Sequence, residues 1–161
     1  MLTSYEAKND KIHIELFKNQ FDDSAHYVAM AFSDDRSMGA DFAFVCSPSW
    51  KSEQKVKLFK TLITKEAHYL PGNENVPQYQ SATEINGQLF CKFSLDLIST
   101  VKMSNSVDRK IDFGIERYLL LATGPTVPGQ LDDVQIRKHT GGRVASKEKF
   151  GIRNAKIFNL K

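Results

Sequence analysis

Four histidines and three internal methionines are the residues of this 161-residue chain that could ligate a transition metal together. Met38 lies in the polar run from Ser33 to Gly39, where an exposed methionine is a poor choice for packing. His139 follows a predicted strand and precedes Thr140-Gly141-Gly142. Haem iron held by one methionine and one histidine is six-coordinate, has a raised potential and suits electron transfer. Both residues lie at strand ends, where an apolar pocket can open.

Each of these two residues also has a simpler interpretation. A lone methionine in such a loop commonly covers the edge of the core, and a lone histidine in a basic segment is commonly exposed. Strict alternation places His139 on the face of Gln135 and Arg137, opposite Val134 and Ile136. A bulge or a strand end is therefore needed to turn His139 toward a pocket.

The motifs of common catalytic sites are absent from the sequence. It has no phosphate-binding loop, dinucleotide fingerprint, Gly-x-Ser-x-Gly or His-Glu-x-x-His, so no catalytic residue is predicted. Because Cys-x-x-Cys-His is also absent, any haem would be held by coordination alone. Cys46 and Cys91 both fall on apolar faces and are either two buried thiols or one disulfide.

The elements that must position these residues are β-strands, because apolar residues recur mainly with a period of two. Between the strands lie turn signals, of which Asn86-Gly87 is the strongest and Gly124-Pro125 is another. The polar stretch from Ser99 to Asp112 is expected to be a long surface loop. Short strands separated by turn signals indicate an antiparallel β-sandwich or β-barrel. The predicted strands lie around Ile12 to Leu16, His26 to Ser33, Phe42 to Ser47, Val56 to Lys60, Gln88 to Ile98, Tyr118 to Thr123 and Val134 to Arg137.

Charge is concentrated at the carboxyl end of the chain. The formal net charge is only +3, too weak for a general nucleic-acid binder. The segment from Arg137 to Lys161 holds eight basic residues and one acid, which indicates either a solvated face or an anionic partner. No window is apolar enough to span a membrane, and the first twenty residues lack the apolar run of a signal peptide. We therefore expect a soluble chain that is either intracellular or a domain excised from a longer protein.

Four stretches of the sequence resemble DOMON domains and occur in the family's order. They are Tyr27 to Cys46, Gly87 to Phe93, Tyr118 to Pro125 and Ile136 to His139, and together they cover most of residues 11–140. The resemblance is closest to DOMON domains of ferric-chelate-reductase-like and stromal-cell-derived-receptor-like proteins. In those proteins the domain precedes a transmembrane b-type cytochrome.

The resemblance implies an immunoglobulin-like antiparallel β-sandwich. It implies one DOMON domain over residues 1–161, with a core at about 11–140 and a basic segment at 137–161. The family's Met-Gly block falls on Met38, and its histidine after the last strand falls on His139. These two residues would then be the axial ligands of a non-covalent haem b. Apolar walls are expected from Phe32, Phe42 and Trp50, and charge partners for the haem propionates from Arg137 and Arg143.

The expected function is electron transfer in the extracellular part of a larger reductase-type protein. The isolated domain would catalyse no reaction but would exchange single electrons with a partner such as a transmembrane b-type cytochrome, with ferric iron as a candidate acceptor. By resemblance, the compartment would be extracellular or the lumen of the secretory pathway.

Two other functions are compatible with the sequence. A haem-free DOMON domain would present Trp50, Tyr69 and Tyr79 to a carbohydrate or another extracellular ligand. A plain interaction domain would use the basic carboxyl-terminal segment against an acidic membrane or partner.

Overall fold

Backbone pairing follows the period-two pattern over most of the computed structural model. The structure describes residues 2–18, 26–37, 39, 41–48, 56–63, 78–86, 88–102, 108–127, 135–137, 139, 142–151 and 156–159. Over these residues the strands are β1 (Leu2–Lys8), β2 (Lys11–Lys18), β3 (His26–Ser33), β4 (Asp41–Pro48), β5 (Val56–Ile63), β6 (Gln78–Ile85), β7 (Gln88–Asp96), β8 (Ile98–Lys102), β9 (Asp108–Asp112), β10 (Tyr118–Val127), β11 (Gln135–Ile136), β12 (Arg143–Ala145) and β13 (Lys156–Asn159).

Two antiparallel sheets form the layers of the molecule. The five-stranded sheet has the order β13-β1-β2-β7-β6, and the six-stranded sheet has the order β11-β10-β3-β4-β5 with β12 also paired to β10. Strands β8 and β9 form a separate two-stranded ribbon. No helix occurs in the described residues, and the predicted all-β, antiparallel sandwich is confirmed.

The main core lies between the two sheets. Alternation in β2 places Ile12, Ile14 and Leu16 fully in the interior. Strands β3 and β4 are buried on both faces, as predicted for central strands. Cys46 of β4 and Cys91 of β7 form a disulfide that joins the two sheets through this core. The cysteine pair that the sequence left open is therefore oxidised.

Tight turns in the five-stranded sheet depend on residues that tolerate positive φ. Asn9 and Asp10 have φ values of 52° and 58° and join β1 to β2, with Lys8 paired to Lys11. Asn86, with φ 52°, follows β6 where Ile85 pairs with Gln88. Asparagine and aspartate adopt this backbone region at low cost. The predicted β6–β7 hairpin is confirmed, whereas the β1–β2 turn was not predicted.

The expected surface loop from Ser99 to Asp112 is wrong in part, because β8 and β9 pair with each other there. Ile98 pairs with Asp112, and Lys102 pairs with Asp108. Main-chain hydrogen bonds hold such a ribbon, so its strands need no apolar alternation for pairing. Residues 103–107 lie outside the described part of the chain.

The expected turn at Gly124-Pro125 is also wrong, since both residues lie within β10. Gly124 pairs with Tyr27 and Pro125 pairs with His26. A proline at the margin of a paired stretch is tolerated because its missing N–H removes only one ladder bond. The glycine serves a close contact instead of a turn, as described below.

The basic segment after Arg137 contributes strands to both sheets. β12 pairs with β10, β13 pairs with β1, and Phe150 forms an isolated bridge with Arg117. The register changes between β11 and β12. Between the pair Thr126–Ile136 and the pair Ala122–Arg143 there are four residue steps along β10 but seven along the segment that pairs with it. Three extra residues are thus inserted around His139.

Candidate functional site

The outer face of the six-stranded sheet, which points away from the sandwich interior, is apolar and buried. Because side chains alternate along a strand, β3 sends Val28, Met30 and Phe32 into the interior and Tyr27, Ala29 and Ala31 outward. Half of the buried residues of the outer-face cluster are alanines, whose side chains end at Cβ. An apolar surface of short side chains suits a hydrophobic ligand. The cluster consists of Tyr27, Ala29, Ala31, Ala43, Val45 and Leu120, with Tyr118, Ile136 and Ala145 packed against it.

His139 lies at one end of this outer face and is half-buried. A Cβ built on Gly124 points outward and would lie 2.9 Å from the Cα of His139 and 3.0 Å from the Tyr27 ring. The His139 backbone therefore packs directly on the main chain of β10. His139 lies between two pairings with β10 whose registers differ by three residues, so it is outside the regular ladder.

The segment around His139 is tied to β10 on both sides. We call the described residues Arg137, His139 and Gly142 the His139 segment. Before His139, the Arg137 amide donates to the Pro125 carbonyl at 3.0 Å. After it, the Thr123 amide donates to the Gly142 carbonyl at 2.8 Å. Pro125 and Thr123 of β10 thus each form a hydrogen bond with one end of the segment.

Tyr27 connects the outer face to the His139 segment. Its hydroxyl donates to the Arg137 carbonyl at 3.2 Å, and its own carbonyl accepts a hydrogen bond from the Thr123 hydroxyl at 2.6 Å. Burial raises the pKa of Tyr27 from 10.0 to about 12. The phenol therefore stays protonated and able to donate at physiological pH. Tyr27 is not among the predicted site residues. The only feature of the sequence that could have indicated its role is a hydroxyl-bearing aromatic side chain at the start of a buried strand.

The loop after β3 is held by short-range hydrogen bonds and one ion pair. Asp34 pairs with Arg117 at 2.9 Å, and the Ser37 amide donates to the Asp35 carboxylate. The Gly39 amide donates to Asp41 at 3.0 Å. Met38 itself lies outside the described residues.

The remaining predicted site residues are distributed over several parts of the fold. Phe32 packs in the interior against Phe113, with ring centroids 5.4 Å apart, and Phe42 packs against the same interior cluster. Arg137 and Arg143 are exposed, and they lie close to the two ends of the His139 segment. Trp50 lies outside the described residues, as does Tyr69 of the alternative carbohydrate site.

The structure places Arg137 and His139 against Pro125 and Gly124 of β10, and Arg143 opposite Ala122 in the middle of that strand. Phe32 and His139 lie on opposite faces of the six-stranded sheet. Phe32 points into the interior, whereas the His139 backbone lies against the outward side of Gly124. The loop after Ser33 starts at the far end of β3 from Tyr27, six residues or about 20 Å along the strand. In the described part of the chain, no three His, Cys, Asp or Glu side chains cluster to bind a metal ion.

Comparisons with known proteins connect this architecture to redox proteins. No family model matches the chain. A putative ferric-chelate reductase 1 homolog of Drosophila melanogaster is 26% identical over 156 residues, which are 94% of this chain and 22% of that protein. The chain thus spans about a fifth of the relative's length. The cytochrome domain of Myriococcum thermophilum cellobiose dehydrogenase has the same fold, with a TM-score of 0.59 and 12% identity over 93% of this chain and 70% of that one.

Together these similarities support a DOMON-like domain. The 12% identity to the cytochrome domain carries the fold alone. The buried disulfide of the DOMON-like domain is consistent with an oxidising compartment, extracellular or lumenal. Within its described residues no helix could cross a membrane.

Proposed function

We propose that this DOMON-like domain is an electron-transfer module that binds haem b between Met38 and His139. The observation that carries the proposal is the location of His139. Its backbone is fixed on Gly124 beside a buried, apolar face. An imidazole at the edge of such a face is suited to ligate iron in a site from which water is excluded.

A thioether and an imidazole are donor types that haem iron takes. A bound haem b would supply one-electron redox chemistry, and ligation by a thioether and an imidazole would raise its potential. The alanines of the outer face would add little bulk against a planar group, since their side chains end at Cβ. Arg137 and Arg143, both exposed, would pair with the propionate carboxylates.

Two of the expected apolar wall residues pack on the inner face of the six-stranded sheet. Phe32 and Phe42 belong to the interior cluster, and the Phe32 ring centroid lies 5.4 Å from that of Phe113. Trp50 remains a proposed apolar wall residue. The floor under the ligand is instead built from Ala29, Ala31 and Ala43.

The comparisons support a proposal for the parent protein and its partners. Similarity to a fifth of a putative ferric-chelate reductase homolog supports a redox module within a longer reductase-type protein. We propose that residues 1–161 form one domain of that protein, located outside the cell or in the secretory lumen. Its electron partner would be a transmembrane b-type cytochrome, and ferric iron is the proposed acceptor.

Absorption spectra test the proposal with two substitutions and a control. After hemin addition and reduction, the wild-type protein is expected to show narrow α and β bands. His139→Ala should lose haem, and Met38→Ala should lower the midpoint potential or open a coordination site. His13→Ala, on β2 of the other sheet, is the matched control and should behave as wild type. Unchanged spectra in both ligand variants would contradict the axial assignment.

A further inference from the structure

We infer that Gly124 and Tyr27 are positioning residues that fix the backbone of His139 against β10 before the cofactor binds. The inference rests on the proposed function and extends it to residues that make no contact with iron. It follows from the contacts that Gly124 and Tyr27 make with the two sides of the His139 segment.

Gly124 is required for space. A Cβ at this position would come within 2.9 Å of the Cα of His139, a distance that real Cβ contacts essentially never show. The obstructing atom belongs to the main chain, so a rotamer change cannot relieve the contact. Because the φ of Gly124 lies outside the left-handed region, the backbone conformation alone would accept alanine. The close approach of His139 therefore explains the glycine.

Tyr27 holds the segment from the neighbouring strand. It pairs with Gly124 in the β3–β10 ladder, so its ring lies beside the glycine and within 3.0 Å of the same Cβ position. Its hydroxyl donates to the carbonyl of Arg137, two residues before His139. The Tyr27 ring thus lies beside Gly124, and the Tyr27 hydroxyl binds the main chain of the segment at Arg137.

The far end of the segment is fixed by a second close approach. A Cβ on Gly142 would overlap the Thr123 side chain, and the Gly142 carbonyl accepts the Thr123 amide hydrogen. With Arg137 bonded to Pro125, three successive residues of β10 hold the segment. A ligand held this way loses little further freedom when it binds the metal, which favours tight ligation.

The test compares Gly124→Ala and Tyr27→Phe with Gly151→Ala. The control adds the same methyl group, but at Gly151 it would meet only Glu116 at 3.5 Å, an ordinary contact. The first readout is amide hydrogen exchange in the cofactor-free protein. We expect exchange at Arg137 and Thr123 to rise at least about tenfold in Gly124→Ala and about fivefold in Tyr27→Phe. The Arg117 amide, bonded to Phe150, is the internal reference and should not change.

The second readout is the reduced spectrum and midpoint potential of the haem-loaded protein. Gly124→Ala is expected to show weakened narrow α and β bands, restored by added imidazole, whereas Gly151→Ala should match wild type. Wild-type exchange at Arg137 and Thr123 in both Gly124→Ala and Tyr27→Phe would overturn the inference, as would a loss that imidazole does not restore. If Gly124→Ala fails to fold, Tyr27→Phe decides alone. A wild-type protein that takes up no haem would refute the proposed function, while the exchange readout would still decide whether Gly124 and Tyr27 hold the segment.

Discussion

Removing the Cys46–Cys91 disulfide should cost the domain a large part of its stability. The bond joins β4 of one sheet to β7 of the other, and both cysteines are fully buried. Its two ends are 45 residues apart in sequence. The unfolded chain therefore loses substantial freedom when the bond is present, and it regains that freedom on reduction.

The magnitude follows from the length of the closed loop. A loop of 45 residues corresponds to about 13 cal/mol/K of chain entropy, or about 4 kcal/mol at 25 °C. Replacing both cysteines by alanine also deletes two buried sulfur atoms, each costing about 1 kcal/mol in lost packing. We expect the free energy of unfolding to fall by about 4 kcal/mol in the reduced wild-type protein and by about 5–6 kcal/mol in Cys46→Ala/Cys91→Ala.

Urea denaturation with and without a phosphine reductant measures both losses. The wild-type midpoint should fall on reduction and the m-value should rise, because the uncrosslinked chain exposes more surface when unfolded. The double alanine variant is the control and should not respond to reductant. A loss below about 1 kcal/mol in the reduced wild-type protein would refute the reasoning.

Three further predictions follow from the described contacts. Burial raises the pKa of Tyr27 to about 12, so the neutral phenol contributes fully to the free energy of unfolding below pH 10, and about 2–3 kcal/mol of that contribution is lost as the pH rises to 12. In urea titrations at alkaline pH, the free energy of unfolding should fall more steeply with pH for wild type than for Tyr27→Phe. Equal slopes would contradict this. Phe93 is fully buried with its ring 5.3 Å from that of Phe44, so Phe93→Ala should cost about 3–5 kcal/mol, against under about 0.5 for the exposed Val144→Ala. The half-exposed Lys92–Glu15 pair, 3.0 Å apart, should contribute under about 1 kcal/mol in a double-mutant cycle and less in 1 M salt, and a larger, salt-independent coupling would be inconsistent with its exposure.

Much of the fold could be predicted because burial leaves a direct trace in the sequence. Ile12, Ile14 and Leu16 alternate with polar residues, and that pattern specifies a strand with one buried face. The continuous apolar run of β3 indicates a strand covered on both faces, which the structure confirms. Asn86 marked a hairpin through its backbone preference. Strands β8 and β9 left no such trace, because a two-stranded ribbon pairs through its main chain alone.

The site depends on pairings that alternation does not encode. His139 leaves the regular ladder because β11 and β12 pair with β10 in registers that differ by three residues. Gly124 has the residue type of a turn, yet it lies within a ten-residue strand and accommodates the His139 backbone. The cysteines are similar: their faces were predictable, but the sheet that each belongs to and their distance required the three-dimensional structure. The resemblance therefore predicted His139 as a ligand, whereas nothing in the local sequence indicated the residues that contact its backbone.

The measurement that tests the central proposal most directly is the absorption spectrum of the purified domain as isolated, after hemin addition and after dithionite reduction. Ligation by His139 and Met38 predicts a sharp Soret band and narrow reduced α and β bands, lost in His139→Ala. A featureless visible spectrum after hemin addition would contradict the proposal and would indicate a DOMON-like fold that functions without haem.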